Sequence, residues 1–254
     1  MTQVDIKALL EAGAHFGHQS SRWHPKMAPY IHSKRNGTHI IDLTKTVEAL
    51  EQALPAITEV AARGQQILLV GTKKQAQAIV EKAAADTGMP YVTVRWFGGM
   101  LTNSKTIMAR VKYLKDLEAK MESGELASKY SKLEVQRFQE EIDKLNEAFG
   151  GIKNMNNTPG LVFATDMLVD HLAIKEATRL GIPVVAISDS NADPSVIKYP
   201  IPANDDAIKT IQLITDYVVA AINDGKAKVK APTKDKTEAP VEAKPEAKEA
   251  VEAK

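Results

Sequence analysis

The chain has 254 residues, 44% of them hydrophobic, a net charge of +1 and a pI of about 7.8. That suffices for one large domain, or one domain with an insertion, and the near-neutral balance argues against a nucleic-acid protein unless charge is segregated. The absence of cysteine excludes disulfides, thiolate metal sites and a cysteine nucleophile.

Residues 1–5 carry no signal-peptide pattern, and no window approaches the ~20 apolar residues of a membrane span. A soluble, cytoplasmic protein without a membrane partner is expected. Residues 4–13 predict a short helix with Leu9 and Leu10 apolar, closed by Gly13. Residues 14–37 then interleave cations, imidazoles and aromatics with no acidic residue: His15, Phe16, His18, Arg22, Trp23, His24, Lys26, Tyr30, His32, Lys34, Arg35. Prolines and glycines here predict an extended, loop-rich arm. The mix suits phosphate pairing and stacking on bases, and equally suits a basic loop packed by its own aromatics.

Residues 38–43 predict the first strand. A helix follows with Thr44 as its cap, Val47, Leu50, Leu54, Ile57 and Ala61 on one face, and a bend at Pro55. Ile67-Leu68-Leu69-Val70 is an unbroken apolar run, as in a parallel strand covered on both faces, and it ends at Gly71-Thr72-Lys73-Lys74. Residues 73–86 predict a helix burying Ala76, Ile79, Val80 and Ala83, and residues 91–96 the next strand. Strand and helix alternate with short turns, the signature of a parallel sheet with crossover helices.

Gly98-Gly99 breaks that alternation, and Thr102 or Asn103 is placed to cap a helix carrying Ile107, Val111, Leu114, Leu117 and Met121. A turn at Ser123-Gly124-Glu125 leads to a second helix carrying Val135, Phe138, Ile142, Leu145 and Phe149. The three- and four-residue spacing is a coiled-coil seam, so residues 104–149 predict an antiparallel hairpin with little core of its own. It either reaches a partner or spaces the fold. Gly150-Gly151 mirrors the first glycine pair. The sheet resumes at 161–166, followed by a helix with Leu168, Leu172, Ile174 and Ala177, a strand at 183–189, and an edge segment Tyr199-Pro200-Ile201-Pro202. Asn204-Asp205-Asp206 is placed to cap a last helix with Ile208, Ile211, Ile214, Val218 and Ile222 on its core face. The domain plan is therefore an α/β domain from residues 1–103 and 150–224, the 104–149 insertion, and a disordered tail at 225–254 that lacks aromatics.

A phosphate loop needs G-x-x-x-x-G-K-[ST], and Gly71-Thr72-Lys73-Lys74 supplies one glycine and no hydroxyl after the lysines. A nucleotide-dependent enzyme loses its motif, and no nucleophile elbow supports a hydrolase. Lys73 and Lys74 remain as cations at the sheet's carboxyl edge, candidates for a nucleic-acid phosphate. Asp189, Asp193, Asp205 and Asp206 with His15 or His18 form a donor set suited to zinc or magnesium, although the same aspartates serve as turn and cap residues.

Several strings are specific. Ala12-Gly13-Ala14-His15-Phe16-Gly17-His18-Gln19, Trp23-His24-Pro25-Lys26-Met27, Gly71-Thr72-Lys73-Lys74-Gln75, Trp96-Phe97-Gly98-Gly99-Met100-Leu101-Thr102-Asn103 and Tyr199-Pro200-Ile201-Pro202-Ala203-Asn204-Asp205-Asp206 resemble the bacterial small-subunit ribosomal protein S-two family, in order from about residue 5 to 222. The resemblance implies a three-layer α/β/α domain with a flavodoxin-like parallel sheet and an inserted coiled-coil hairpin. It implies a non-enzymatic role: binding small-subunit ribosomal RNA between head and body and helping to dock ribosomal protein S-one, with no small-molecule substrate and no required cofactor. RNA contacts are expected from Arg22, Lys26, Lys34, Arg35, Lys73, Lys74, Arg95, Lys105 and Arg110. In some relatives a metal lies near the arm histidine, which carries over to His18, Asp189 and Asp205 as a candidate zinc or magnesium set. The chain departs from the family pattern at Asn157-Thr158-Pro159-Gly160, at Asp170-His171 and at Ala192.

Overall fold

The computed structural model describes residues 4–155 and 157–229. Five strands form a parallel sheet: β4 (Ile67–Val70), β5 (Tyr91–Val92), β6 (Leu161–Ala164), β7 (Val184–Ser188) and β8 (Tyr199–Pro202). Their order, β5-β4-β6-β7-β8, reverses direction between β4 and β6, the flavodoxin-like arrangement. Each buried strand sends alternate side chains to opposite layers. Ile67, Leu69, Leu161, Phe163, Val185 and Ile187 pack against α2 (Leu43–Ala62), α3 (Lys74–Thr87) and α8 (Ile208–Val229). Leu68, Val70, Val162, Ala164, Val184 and Ala186 pack against α7 (His171–Arg179) and the root of the hairpin. The result is three layers, α/β/α, in which each fully buried aliphatic or aromatic side chain contributes about 1.5–3 kcal/mol. No helix among the described residues is long and apolar enough to cross a membrane.

The insertion is a hairpin of α4 (Ser104–Glu122) and α6 (Lys132–Phe149), with a short α5 (Glu125–Lys129) at the turn. Ile107, Val111 and Phe149 are buried in the domain core, whereas the distal seam is a small cluster of Leu114, Leu117, Leu126 and Ile142. Asn103 precedes α4 but makes no side-chain cap bond. At the second foot Gly151 is required by close approach: a Cβ there would lie 2.2 Å from the Tyr91 carbonyl oxygen.

The arm departs from its expected loop. β1 (Phe16–Gln19), β2 (Ile31–Arg35) and β3 (Thr38–Ile41) form a separate antiparallel sheet in the order β1-β3-β2. The 38–43 segment is therefore not part of the parallel sheet. Asp42, rather than Thr44, caps α2, its carboxylate accepting the Thr44 amide at 2.9 Å. The strand expected over 91–96 stops at Val92, because Thr93 turns toward α3, its hydroxyl donating to Glu81 and its carbonyl accepting from Gln77. Leu168 and Leu172 are exposed: Leu168 lies in a turn before α7, where Asp166 accepts the amides of Leu168 and Val169, and Leu172 sits in the first turn of α7, whose buried face begins at Ala173 and Ile174. Ile208 opens α8 and is 60% exposed, so the buried face of that helix begins at Thr210 and Ile211. Residues 225–229, expected in the tail, continue α8, held by Gly225 against α2 and by Lys226 donating to the Thr87 carbonyl. The remainder of the expected tail, 230–254, lies outside the described residues.

Candidate nucleic-acid interface

Open α/β sheets hold ligands at the carboxyl edge, where the strand order reverses. Here that position lies between the turns after β4 and β6, and it is filled from within. A Cβ on Gly71 would sit 2.6 Å from Val80 Cγ2 and 3.0 Å from Thr165 Oγ1, so the glycine lets α3 close onto the strand ends. The Thr72 hydroxyl donates to Asp170 Oδ1 at 2.7 Å. Lys73, 14% exposed, turns inward and places its ammonium 2.7 Å from Asp206, 2.8 Å from Asp205 and 3.0 Å from Asp166. Burial works against the charged ammonium, but the hydrogen bonds to Asp205, Asp206 and Asp166 outweigh it and raise the Lys73 pKa.

Asp205 does not gain reciprocally. Its burial and the neighbouring charges of Asp166 and Asp189 push its carboxyl up to about 7, against the pull of Lys73. One ammonium is shared among more carboxylates than it neutralises.

The arm sheet docks on this edge. The His18 amide donates to Ser190 Oγ at 2.8 Å and to Asp189 Oδ1 at 3.2 Å, and the His24 amide to the Ser190 carbonyl at 2.9 Å. Strand β1 thereby delivers the His18 ring to the carboxylates: Nδ1 is 3.0 Å from Asp189 Oδ2, and Nε2 is 3.5 Å from Asp206 Oδ2. The hydrogen bond to Asp189 raises the His18 pKa, burial opposes it, and the charges of Asp189, Asp205 and Asp206 add to the rise. His18, Asp189 and Asp205 offer ligand atoms all within 4.8 Å of one another. Asp193 does not join them. It accepts from the Ser195 amide and pairs with Lys26 at 2.7 Å, the turn chemistry weighed against a ligand role. His15 also stays outside the set, its pKa lowered by burial.

The structure separates the expected cations. Arg22, Lys34, Arg35, Lys74, Arg95, Lys105 and Arg110 are exposed. Lys34 and Arg35 project from β2, Arg95 lies 5.9 Å over the Phe97 ring, and Lys105 and Arg110 lie on α4. Lys26 is exposed but engaged by Asp193 and Ser195. Lys73 is enclosed by carboxylates and presents no free cation. Asp166 and Asp170 complete the edge and were absent from the sequence-based candidates. The available signal was position: Asp166, like Asp189, ends an apolar strand run.

The sequence profile of the family described as Ribosomal protein S2 matches residues 9–225. The chain is 51% identical over 222 residues to the small ribosomal subunit protein uS2 of Roseiflexus sp. (strain RS-1), covering 87% of this chain and 84% of the relative. It is 51% identical over 222 residues to that of Chloroflexus aggregans, covering 87% and 93% of the two chains, and 47% identical over 225 residues to that of Fusobacterium nucleatum, covering 89% and 91%. With a parallel sheet whose ligand position is closed by its own side chains, and relatives matched along nearly their whole length, the chain belongs to the ribosomal protein S2 family, which is a family of structural ribosomal proteins and not of enzymes.

Proposed function

We propose that the protein is a structural constituent of the small ribosomal subunit that binds small-subunit ribosomal RNA between head and body and helps dock ribosomal protein S-one. The observation that carries the RNA reading is the division of cations just described. Lys73 is spent internally, while Arg22, Lys34, Arg35, Lys74, Arg95, Lys105 and Arg110 face outward from the arm, the sheet edge and the hairpin. Phosphate contacts of this kind position a protein on RNA, and the half-exposed Trp23 beside them offers a stacking surface. Neighbouring ribosomal proteins are the expected protein partners, and the docking of S-one rests on family membership.

His18, Asp189 and Asp205 would hold zinc or magnesium, a mixed imidazole–carboxylate set. A bound cation would neutralise the excess carboxylate charge at the edge, in competition with the Lys73 ammonium for Asp205. Zinc that raises Tm in the native protein but not in Asp189→Asn supports the set, and equal responses oppose it.

Co-sedimentation with small subunits tests the main reading. Binding should weaken steeply with salt, since each neutralised phosphate releases counterions. Micromolar binding of ATP or NAD in equilibrium dialysis, without co-sedimentation, would instead favour a nucleotide-dependent enzyme. Deleting 104–149 tests a pure adaptor, which would lose its partner completely.

A further inference from the structure

Five hydrogen-bond donors converge on one carboxylate at the first foot of the hairpin. Glu176, on α7, accepts the amide of Gly99 at 2.7 Å and the indole N–H of Trp96 at 3.1 Å on Oε1. Its Oε2 accepts the amides of Leu101 at 3.0 Å and Thr102 at 3.1 Å, and the Thr102 hydroxyl at 3.1 Å. Backbone amides gathered in a turn form an anion-binding concavity, and charge-assisted bonds into it are the strong ones. Burial acts to raise the Glu176 pKa, but the Gly99, Thr102, Trp96 and Leu101 donors outweigh it and hold the carboxyl below its ordinary value.

This arrangement sits just before the helix rather than at its cap: the amides it binds, Gly99, Leu101 and Thr102, all precede α4. Residues at the start of a helix have amides without intrahelical partners, which a side chain at the preceding position usually satisfies. Asn103 occupies that position before α4 and provides no such bond; its Oδ1 accepts from the Thr106 hydroxyl instead. The amides just upstream are satisfied by α7, a helix buried through Ala173, Ile174 and Ala177 on the sheet. The direction in which α4 leaves the domain is therefore tied to a different, rigidly packed element. The second foot has its own fastening, Gly151 against Tyr91 and the Glu118–Lys153 ion pair at 2.7 Å. That pair joins α4 to the chain after α6.

We propose that Glu176 is the positioning residue of the hairpin. It acts as an internal anion that fills the amide nest before α4 and fixes the angle at which the hairpin projects from the sheet. Its importance for assembly rests on the reading of the hairpin as a reaching element. The positioning itself is a property of the free protein and is measured there.

The chain has no cysteine, so two can be introduced cleanly, Ala85→Cys on the exposed face of α3 and Ala127→Cys at the hairpin tip. Spin labels at these sites report the tip-to-body distance distribution by pulsed electron resonance. Glu176→Ala is expected to widen that distribution about twofold, as local contacts at the foot open. Saturating acetate, which can enter the vacated nest, should narrow it again, whereas chloride at equal ionic strength should not. Glu176→Asp, which keeps the carboxylate, should retain most of the native width. Glu176→Gln preserves volume but turns an amide group toward the nest; it should widen the distribution too, and it decides the matter if Glu176→Ala does not fold. An unchanged width in the folded variants would overturn the proposal, as would equal responses to acetate and chloride. These outcomes hold whether or not the protein joins small subunits, so failure of the proposal is separable from failure of the RNA reading.

Discussion

Replacing Lys73 by methionine separates a structural lysine from a nucleic-acid contact. Its ammonium faces Asp206 at 2.7 Å, Asp205 at 2.8 Å and Asp166 at 3.0 Å. Asp206 is 56% exposed, so its share is that of a screened surface pair, roughly 0–1 kcal/mol. Asp166 and Asp205 are buried, and removing the cation from a buried pair costs about 3–5 kcal/mol because charge is left unpaired. Methionine keeps the apolar stem, so the loss is electrostatic rather than a cavity. Lys73→Met is expected to lower the unfolding free energy by about 3–5 kcal/mol in urea titrations, equivalent to roughly 6–20 °C in Tm for a chain of this size. The slope of subunit association against salt should stay unchanged at a temperature where the variant is folded. A loss below about 1 kcal/mol with a shallower salt slope would refute this, since that pattern belongs to a solvated phosphate contact.

Two further perturbations probe the same frame. Burial raises the Asp170 carboxyl from its ordinary 3.8 to about 6, against the pull of the Thr72 hydroxyl and amide. The native state then holds the proton more tightly than the unfolded chain, so this group makes stability fall as pH rises from about 4 to about 6, by roughly 3 kcal/mol at most. Asp170→Asn should remove that descent in urea titrations across the window, and parallel curves for the two proteins would contradict it. Gly151→Ala, whose Cβ would meet backbone at 2.2 Å, should cost about 1–3 kcal/mol or more and shift the second foot of the hairpin. A melting temperature equal to the native one would mean that Tyr91 yields freely.

The parallel sheet was legible because strands buried on both faces need unbroken apolar runs, as in Ile67–Val70, Leu161–Ala164 and Val184–Ser188. The hairpin was legible from its seam, since Leu114, Leu117 and Ile142 must meet across two helices. The arm sheet was not. Most β2 side chains are exposed, so no alternation marks that strand, and β1 is held by contacts to Ser190 and Asp189 more than 170 residues away. Lys73 misled for a related reason: a sequence displays a cation but not the three carboxylates that converge on it from the turns after β6 and β8. His18, Asp189 and Asp205 were identified through the resemblance, and the strand ends do bring them together. Asp166 and Asp170 went unrecognised because a buried carboxylate at a strand end and a solvated turn aspartate look alike in one chain.

Contact between the exposed cations of the arm and small-subunit RNA is what the proposed function depends on. It is tested most directly by the salt dependence of small-subunit association, native protein against the Lys34→Glu/Arg35→Glu double variant. Both side chains are exposed on β2, where charge reversal disturbs no buried contact. The double variant should associate more weakly, with a log–log slope shallower by about one for each lost phosphate contact. An unchanged affinity and slope would contradict it, and the arm would then be a packed basic sheet with no RNA beneath it.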